Sequence, residues 1–164
     1  MMEVGDENTW FTECLRTNNM ILTKYKEYVT KYNLKRFVNA HRNVYASALK
    51  EIQAGKKQSH WMWYIFPQLH GLGHSSNSNY YGIIDRDKAI MFLHHPVLGK
   101  KLWEITMAML AIDEKSADEI LGGINALKFR SSMTLFNAVF PDNIFAEALH
   151  KFYDGKKMSA HWRC

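Results

Sequence analysis

The stretch Lys56-Lys57-Gln58-Ser59-His60-Trp61-Met62-Trp63-Tyr64-Ile65-Phe66-Pro67-Gln68-Leu69-His70-Gly71-Leu72-Gly73 decides the fold. Six large apolar residues, Trp61 through Phe66, stand between a basic, hydroxyl-bearing entrance and an exit punctuated by Pro67, Gly71 and Gly73. An element that is apolar on every side leaves no face for water and has to be buried. Each large aromatic contributes roughly 1.5–3 kcal/mol by burial. Three or four such rings therefore weigh heavily in a domain whose net stability is about 5–15 kcal/mol. Six residues are too few for periodicity to separate strand from helix. Ser59 is a favourable N-cap and Ile65 is the only β-branched residue of the run, so a short helix capped by Ser59 is expected. Pro67 pushes Phe66 out of the α region and should end that helix.

Upstream, Phe37, His41, Val44, Tyr45, Ala48, Leu49 and Ile52 recur at helical spacing, and Gly55 supplies a stop, so one helix is expected from 37 to 55. Earlier still, Ile21, Tyr25, Tyr28, Val29 and Tyr32 form a tyrosine-rich amphipathic stripe behind a start (residues 1–8) expected to be disordered. Downstream, Gly71 to Asn79 reads as a flexible polar loop. Asp85 or Asp87 can cap a helix through Ala89, Phe92 and Leu93 that ends before Pro96. His94-His95-Pro96 then opens another through Leu98, Leu102, Ile105, Met109 and Ile112. Ser116 and Glu119 form a capping box for a short helix closed by Gly122-Gly123. Two more helices are expected, from 125 to 140 and from 141 to the stop at Gly155.

Only 3 Pro and 9 Gly in 164 residues leave too few turns for a β-sandwich or barrel. The expectation is all-α: a single compact, bundle-like domain of about seven helices around a buried Trp/Met/Phe central helix. An N-terminal extension (1–34) precedes the helical domain (35–155), and an irregular tail (156–164) follows it. Cys14 and Cys164 have no framework or metal spacing, which fits a reducing, cytoplasmic setting without disulfides. Glu3, Asp6 and Glu7 open the chain with no secretory-type pattern, and no apolar run reaches the ~18 residues of a membrane span. The net charge of +5 is divided as −1 over residues 1–33 and +6 over the remainder. Such a surface suits solubility first and an anionic partner second.

Several blocks fit one family pattern: Phe37 to Tyr45, Gly55 to Leu69, Gly71-Leu72-Gly73-His74-Ser75, Tyr81, His95-Pro96-Val97-Leu98, and Lys128-Phe129-Arg130-Ser131-Ser132-Met133-Thr134-Leu135-Phe136. Together they closely resemble the domain of unknown function 1810, a mainly helical superfamily of mycobacterial type, over residues 36–155. Bacterial relatives sometimes carry the label calpastatin, although nothing here resembles a calpain-inhibitory repeat. The resemblance implies an all-helical single domain and brings no activity with it. The chain also departs from that pattern. Asn39-Ala40-His41 stands where the family has Asp-Ala-Gln, and Lys88 and Asn125 each replace an acid. Met158 and His161 stand in place of Asp and Thr. Any acid–base work those acids did in relatives is absent here.

No reaction follows from these residues. Adjacent Ser59 and His60 point about 100° apart on a helix and form no ready dyad. His70 and His74 have metal-ligand spacing, but Gly71 and Gly73 between them oppose a helix and no third ligand is evident, so no metal is expected. Loop 71–79 lacks the lysine of a phosphate loop, and no cofactor is expected.

The inventory that remains is that of a cleft. Lys57, Lys128 and Arg130 suit phosphate or carboxylate. Ser59, His60, Gln68, Ser75, Ser131 and Ser132 suit hydroxyls or amides. Trp61, Trp63 and Tyr81 can stack on a ring, and His41 lies at the margin of a buried stripe. The leading expectation is a small anionic ligand, nucleotide- or ADP-ribose-like. A protein-contact module using the tyrosine-rich helix is the alternative. Weak electrostatic nucleic-acid binding comes third, since no zinc-finger, RRM or helix-turn-helix signature supports it.

Overall fold

The computed structural model of the protein describes residues 34–155. The tyrosine-rich stripe of residues 21–32, the tail 156–164, Cys14 and Cys164 lie outside them. The helical segments of the described residues are α1 (Lys35–Arg42), α2 (Tyr45–Gln53), α3 (Met62–Ile65), α4 (Ser76–Tyr80), α5 (Arg86–His94), α6 (Leu98–Leu110), α7 (Ala117–Leu121), α8 (Gly123–Val139) and α9 (Ile144–Tyr153). The β structure among these residues is an isolated parallel bridge between Leu69 and Ile83. The fold is all-α, as the sequence implies. Nine segments stand against about seven expected because the stripe from 37 to 55 is two helices and the segment after Ser75 forms α4.

α6 and α8 form the frame. α8 packs on α5, α7 and α9 and touches α3, while α6 packs on α2, α5 and α9. A file of rings fills the interior: Phe37 meets Phe92 edge-on at 5.1 Å, and Phe92 meets Phe136 at 5.5 Å. Phe66 meets Phe129 at 4.9 Å. The edge-on contacts of Phe37 with Phe92 and of Phe66 with Phe129 suit the ring quadrupoles and add to the area term. Trp61, Met62, Ile65 and Phe66 are all buried, which makes the central run the hub that its composition demands.

Three local expectations are corrected. The stripe from 37 to 55 is not one helix: it breaks at Asn43-Val44, where the Val44 N–H bonds the His41 carbonyl at 3.2 Å in a tighter turn. Asparagine competes with helical backbone bonding and β-branched valine resists it, so the break falls there. Ser59 does not cap α3. Trp61 takes the cap position, and the Ser59 hydroxyl is drawn instead to Glu51. Loop 71–79 contains α4, whose N-cap Ser75 accepts the Ser78 N–H at 3.1 Å. The other punctuation falls where expected. Phe66 ends α3, Asp85 caps α5 at 2.8 Å, and the Ser116/Glu119 capping box opens α7.

Gly55 ends α2 with φ +81°, and the paired bonds Lys56 N–H to Glu51 O (3.0 Å) and Gly55 N–H to Ile52 O (2.8 Å) close a Schellman turn. The chain then reverses, and the Lys57 N–H bonds the Ile120 carbonyl at 2.7 Å, which fixes the basic loop ahead of α3.

Candidate functional site

Glu51 anchors that loop. Its carboxylate accepts the Gln58 N–H at 2.9 Å, the Ser59 N–H at 3.1 Å, the Ser59 hydroxyl and the Trp61 indole N–H at 2.7 Å. Burial pushes its pKa up, but the hydrogen bonds from Ser59, Gln58 and Trp61 outweigh it and hold the carboxyl at about 2. Ser59 and Trp61 are therefore occupied internally, and the Trp61 ring is fully buried. The Lys57 ammonium donates to the Ser59 carbonyl and lies 5.0 Å from the Trp61 ring centroid. Burial lowers the Lys57 pKa, Glu51 pulls the other way, and the nearby charge of Lys128 lowers it further. Two cations are thus held near one another at the mouth of the central run.

Beside them lies a concavity lined by Met62, Trp63, Phe66, Gln68, Ser78, Tyr81, Gly82 and Lys128. It has room for about one water molecule, near 10 Å³, within about 220 Å³ of surrounding space that includes open solvent. α3 supplies Trp63 and α8 supplies Lys128, whose ammonium sits 5.4 Å from the Trp63 ring centroid. Lys128 makes no ion pair with a carboxylate among the described residues. The Trp63 indole N–H is buried and meets no acceptor among them. A buried donor left without a partner costs about 1–3 kcal/mol. The bridge region forms the rim: the His70 N–H donates to Ile83 O at 2.8 Å, and the Ile83 N–H to Gln68 O at 2.9 Å.

Residues 31–163 match the family model described as "Protein of unknown function (DUF1810)". The chain belongs to the DUF1810 family. A similar solved structure is the 1.38 Å crystal structure of a conserved hypothetical protein from Mycobacterium tuberculosis. It is 41% identical, with a TM-score of 0.76, and covers 77% of this chain and 91% of that one. No curated protein matches the chain.

In this DUF1810 member, Trp63, Gln68, Tyr81 and Lys128 of the sequence candidates share the concavity, with Lys57 near its Lys128 side. The others sit elsewhere. His41 is buried in the core: its Nε2–H donates to the Tyr64 carbonyl at 2.6 Å, and its ring stacks on Tyr45 at 6.0 Å. Burial lowers its pKa to about 4. The bond to Tyr64 opposes that shift, and Lys101 and His95 add to it, so the ring is neutral at pH 7. His60 and Ser75 are exposed. Arg130 lies over Tyr153 at 5.8 Å, and the Ser131 hydroxyl donates one turn back to Leu127 O at 3.0 Å. Ser132 is fully buried one turn beyond Lys128, its hydroxyl without a partner among the described residues.

Sequence reasoning missed Met62, Phe66, Ser78 and Gly82 as lining residues, and it missed Glu51 as the anchor. A carboxylate in the last turn of a helix opposes the macrodipole, and that was the one available signal for Glu51. Lys88 was also missed as a buried group. It is 1% exposed, donates to the Gly82 carbonyl at 3.2 Å and lies over Phe37 at 5.5 Å. Among the described residues, no group of three or more His, Cys, Asp or Glu could hold a metal, and no helix is long and apolar enough to cross a membrane.

Proposed function

We propose that the concavity between α3 and the first half of α8 binds a small anionic ligand of nucleotide or ADP-ribose type. The observation that carries this reading is the Trp63 indole N–H, buried without a partner among the described residues, with the Lys128 ammonium 5.4 Å from the centroid of the same ring and in no ion pair among those residues. An oxyanion satisfies both groups at once. Lys57, held near Lys128, extends the positive field outward for a second charge. The closed part of the concavity has room for about one water molecule, near 10 Å³, so an oxyanion would sit at its mouth and the rest of the ligand would lie across the lysines. A thermal-shift panel of NAD, ADP-ribose and nucleotides tests this, since a ligand that binds the folded state raises the melting temperature by mass action. Absence of any shift at millimolar ligand removes the reading.

A second reading, a protein-contact module, draws on Ile124 and Leu127, one turn apart on α8 and 72% and 55% exposed. Light scattering of the chain and of an Ile124→Glu/Leu127→Glu variant tests it. A monomer in both cases leaves self-association through this face without support.

A further inference from the structure

We infer that the open hollow along the outer face of α9 seats the chain's own C-terminal segment, residues 156–164. This hollow shares no lining residue with the concavity between α3 and α8, and at about 520 Å³ it has room for several side chains. Leu110 and Ala146 give it apolar surface, with Asp142 and Glu147 toward the start of α9 and His150 and Lys151 toward its end. The Lys151 ammonium is already committed: it donates to the Leu110 and Ile112 carbonyls at 2.6 Å each and stands 3.8 Å from Asp113. Asp142 and Glu147 have no ion-pair partner among the described residues, so the hollow presents uncompensated negative charge. The chain leaves α9 at the edge of this hollow. Asp154 and Gly155 both take positive φ, +53° and +75°, and the Gly155 N–H bonds the Leu149 carbonyl at 2.9 Å, a terminus that turns the backbone off the helix axis. A Cβ built on Gly155 would lie 3.9 Å from the His150 ring, so the turn is made against the rim. The sequence that follows suits the surface. Met158, Ala160, Trp162 and Cys164 alternate with Lys157, Ser159, His161 and Arg163, the period of an extended chain with one apolar face. Lys156, Lys157 and Arg163 complement Asp142 and Glu147, and their long stems let the charges reach the rim while the apolar face lies on Leu110 and Ala146. The reach is ample: nine extended residues cover about 30 Å, whereas α9 rises only about 12 Å from Asn143 to Lys151. Because the segment starts at the rim, it acts at the effective concentration of a tethered ligand, which favours it over a free partner.

The test is paramagnetic broadening in NMR spectra of the full chain labelled with ¹⁵N. Cys14→Ser leaves Cys164 as the single thiol, and a nitroxide attached there marks the end of the segment. The amides of Asn143, Ala146 and Glu147 are expected to lose their signals and to regain them when the nitroxide is reduced. Ile124 and Leu127, whose exposed apolar side chains at the start of α8 are the competing seat, are expected to keep theirs. Broadening at Ile124 and Leu127 in place of the start of α9, or confined to the last turn of α9, overturns the inference. A mixture of ¹⁵N chain without nitroxide and nitroxide-bearing chain without ¹⁵N separates the two sources. Loss of the Ala146 signal in that mixture makes a second copy the occupant and also overturns it. Asp142→Asn/Glu147→Gln removes both exposed charges, and asparagine keeps the positive φ of residue 142. The pair should restore the Ala146 and Glu147 signals, and unchanged broadening overturns the charge pairing that seats the segment. The nitroxide measurement on the chain with both acids intact decides the matter even if that variant fails to fold.

Discussion

The Trp61 indole N–H donates to the Glu51 carboxylate at 2.7 Å, and this bond ties the end of α2 to the start of the central run. Trp61 is fully buried, so its N–H has no water to fall back on. Glu51→Ala strands that donor together with the Gln58 and Ser59 amides. The expected loss of unfolding free energy is about 2–3 kcal/mol in urea denaturation, in the range of charge-assisted bonds left unmade. The same carboxylate makes stability acid-sensitive. Its folded pKa of about 2 lies below its unfolded value, so its contribution is complete above about pH 4.5 and is lost as pH falls toward 2. A Glu51→Ala protein as stable as the parent at pH 7 would show the bond to be incidental.

His41 carries a second pH dependence in a higher window. Its folded pKa is about 4 against an ordinary 6.5, so the unfolded chain takes up the proton first. Stability is complete above about pH 6.5 and falls as pH drops toward 4, by on the order of 2–3 kcal/mol. His95 adds to the slope. Burial lowers its pKa to about 4, and its Nδ1 accepts the Val97 and Leu98 N–H groups at 3.1 and 3.2 Å, which protonation would prevent. His41→Gln keeps an amide donor for the Tyr64 carbonyl and does not titrate. Its urea midpoint should fall less than that of the parent between pH 7 and pH 4.5. Identical slopes would exclude His41 as a source.

Much of this architecture is legible in the sequence because it is local. The Ser116/Glu119 box, the Asp85 cap and the stops at Phe66 and Gly55 each depend on residues within a few positions. What escaped was long-range competition. Ser59 reads as a cap until the fold brings Glu51 within reach of its hydroxyl, eight positions back in the chain. Trp61 and Trp63 read alike as stacking residues, yet side chains two apart at helical spacing point about 160° apart, to nearly opposite sides. One ring therefore fills the core and the other lines the concavity. Lys128 and Trp63 were both legible as candidates. Their meeting across α3 and α8 depends on packing that no spacing rule encodes.

Lys88 is a cation enclosed by the core, and removing its charge while keeping its length should not weaken the protein. Burial lowers its pKa to about 8, Arg36 adds to the shift, and Asp85 opposes it. Lys88→Met keeps the length of the side chain without the charge, and the expected change at pH 7 lies between neutral and about 2 kcal/mol of stabilisation. Lys88→Ala should instead lose about 2–4 kcal/mol through the cavity it leaves. Between about pH 8 and pH 10.5 the unfolded lysine holds its proton while the folded one releases it, so parent stability rises across that window. The advantage of Lys88→Met should shrink accordingly. Urea midpoints at pH 7 and pH 9.5 measure both effects, and an advantage that does not shrink would rule out titration of Lys88.

Gly82 links the rim of the concavity to the core, and alanine there should disturb both. A Cβ at Gly82 would lie 2.8 Å from the Cα and Cβ of His70, closer than real Cβ contacts come, and backbone cannot swing aside as a side chain does. The bonds from the His70 N–H to Ile83 O and from the Ile83 N–H to Gln68 O would have to lengthen. The Gly82 carbonyl that holds Lys88 would move with them. The expected cost is about 1–3 kcal/mol, with faster hydrogen exchange at the His70 and Ile83 amides. Gly71→Ala provides the contrast. At φ +96° it carries backbone strain of about 1 kcal/mol, but its Cβ would meet nothing within 4 Å. It should leave the exchange of Ile83 intact. Equal exchange at Ile83 in Gly82→Ala and Gly71→Ala would mean that the close approach to His70 does not hold the rim.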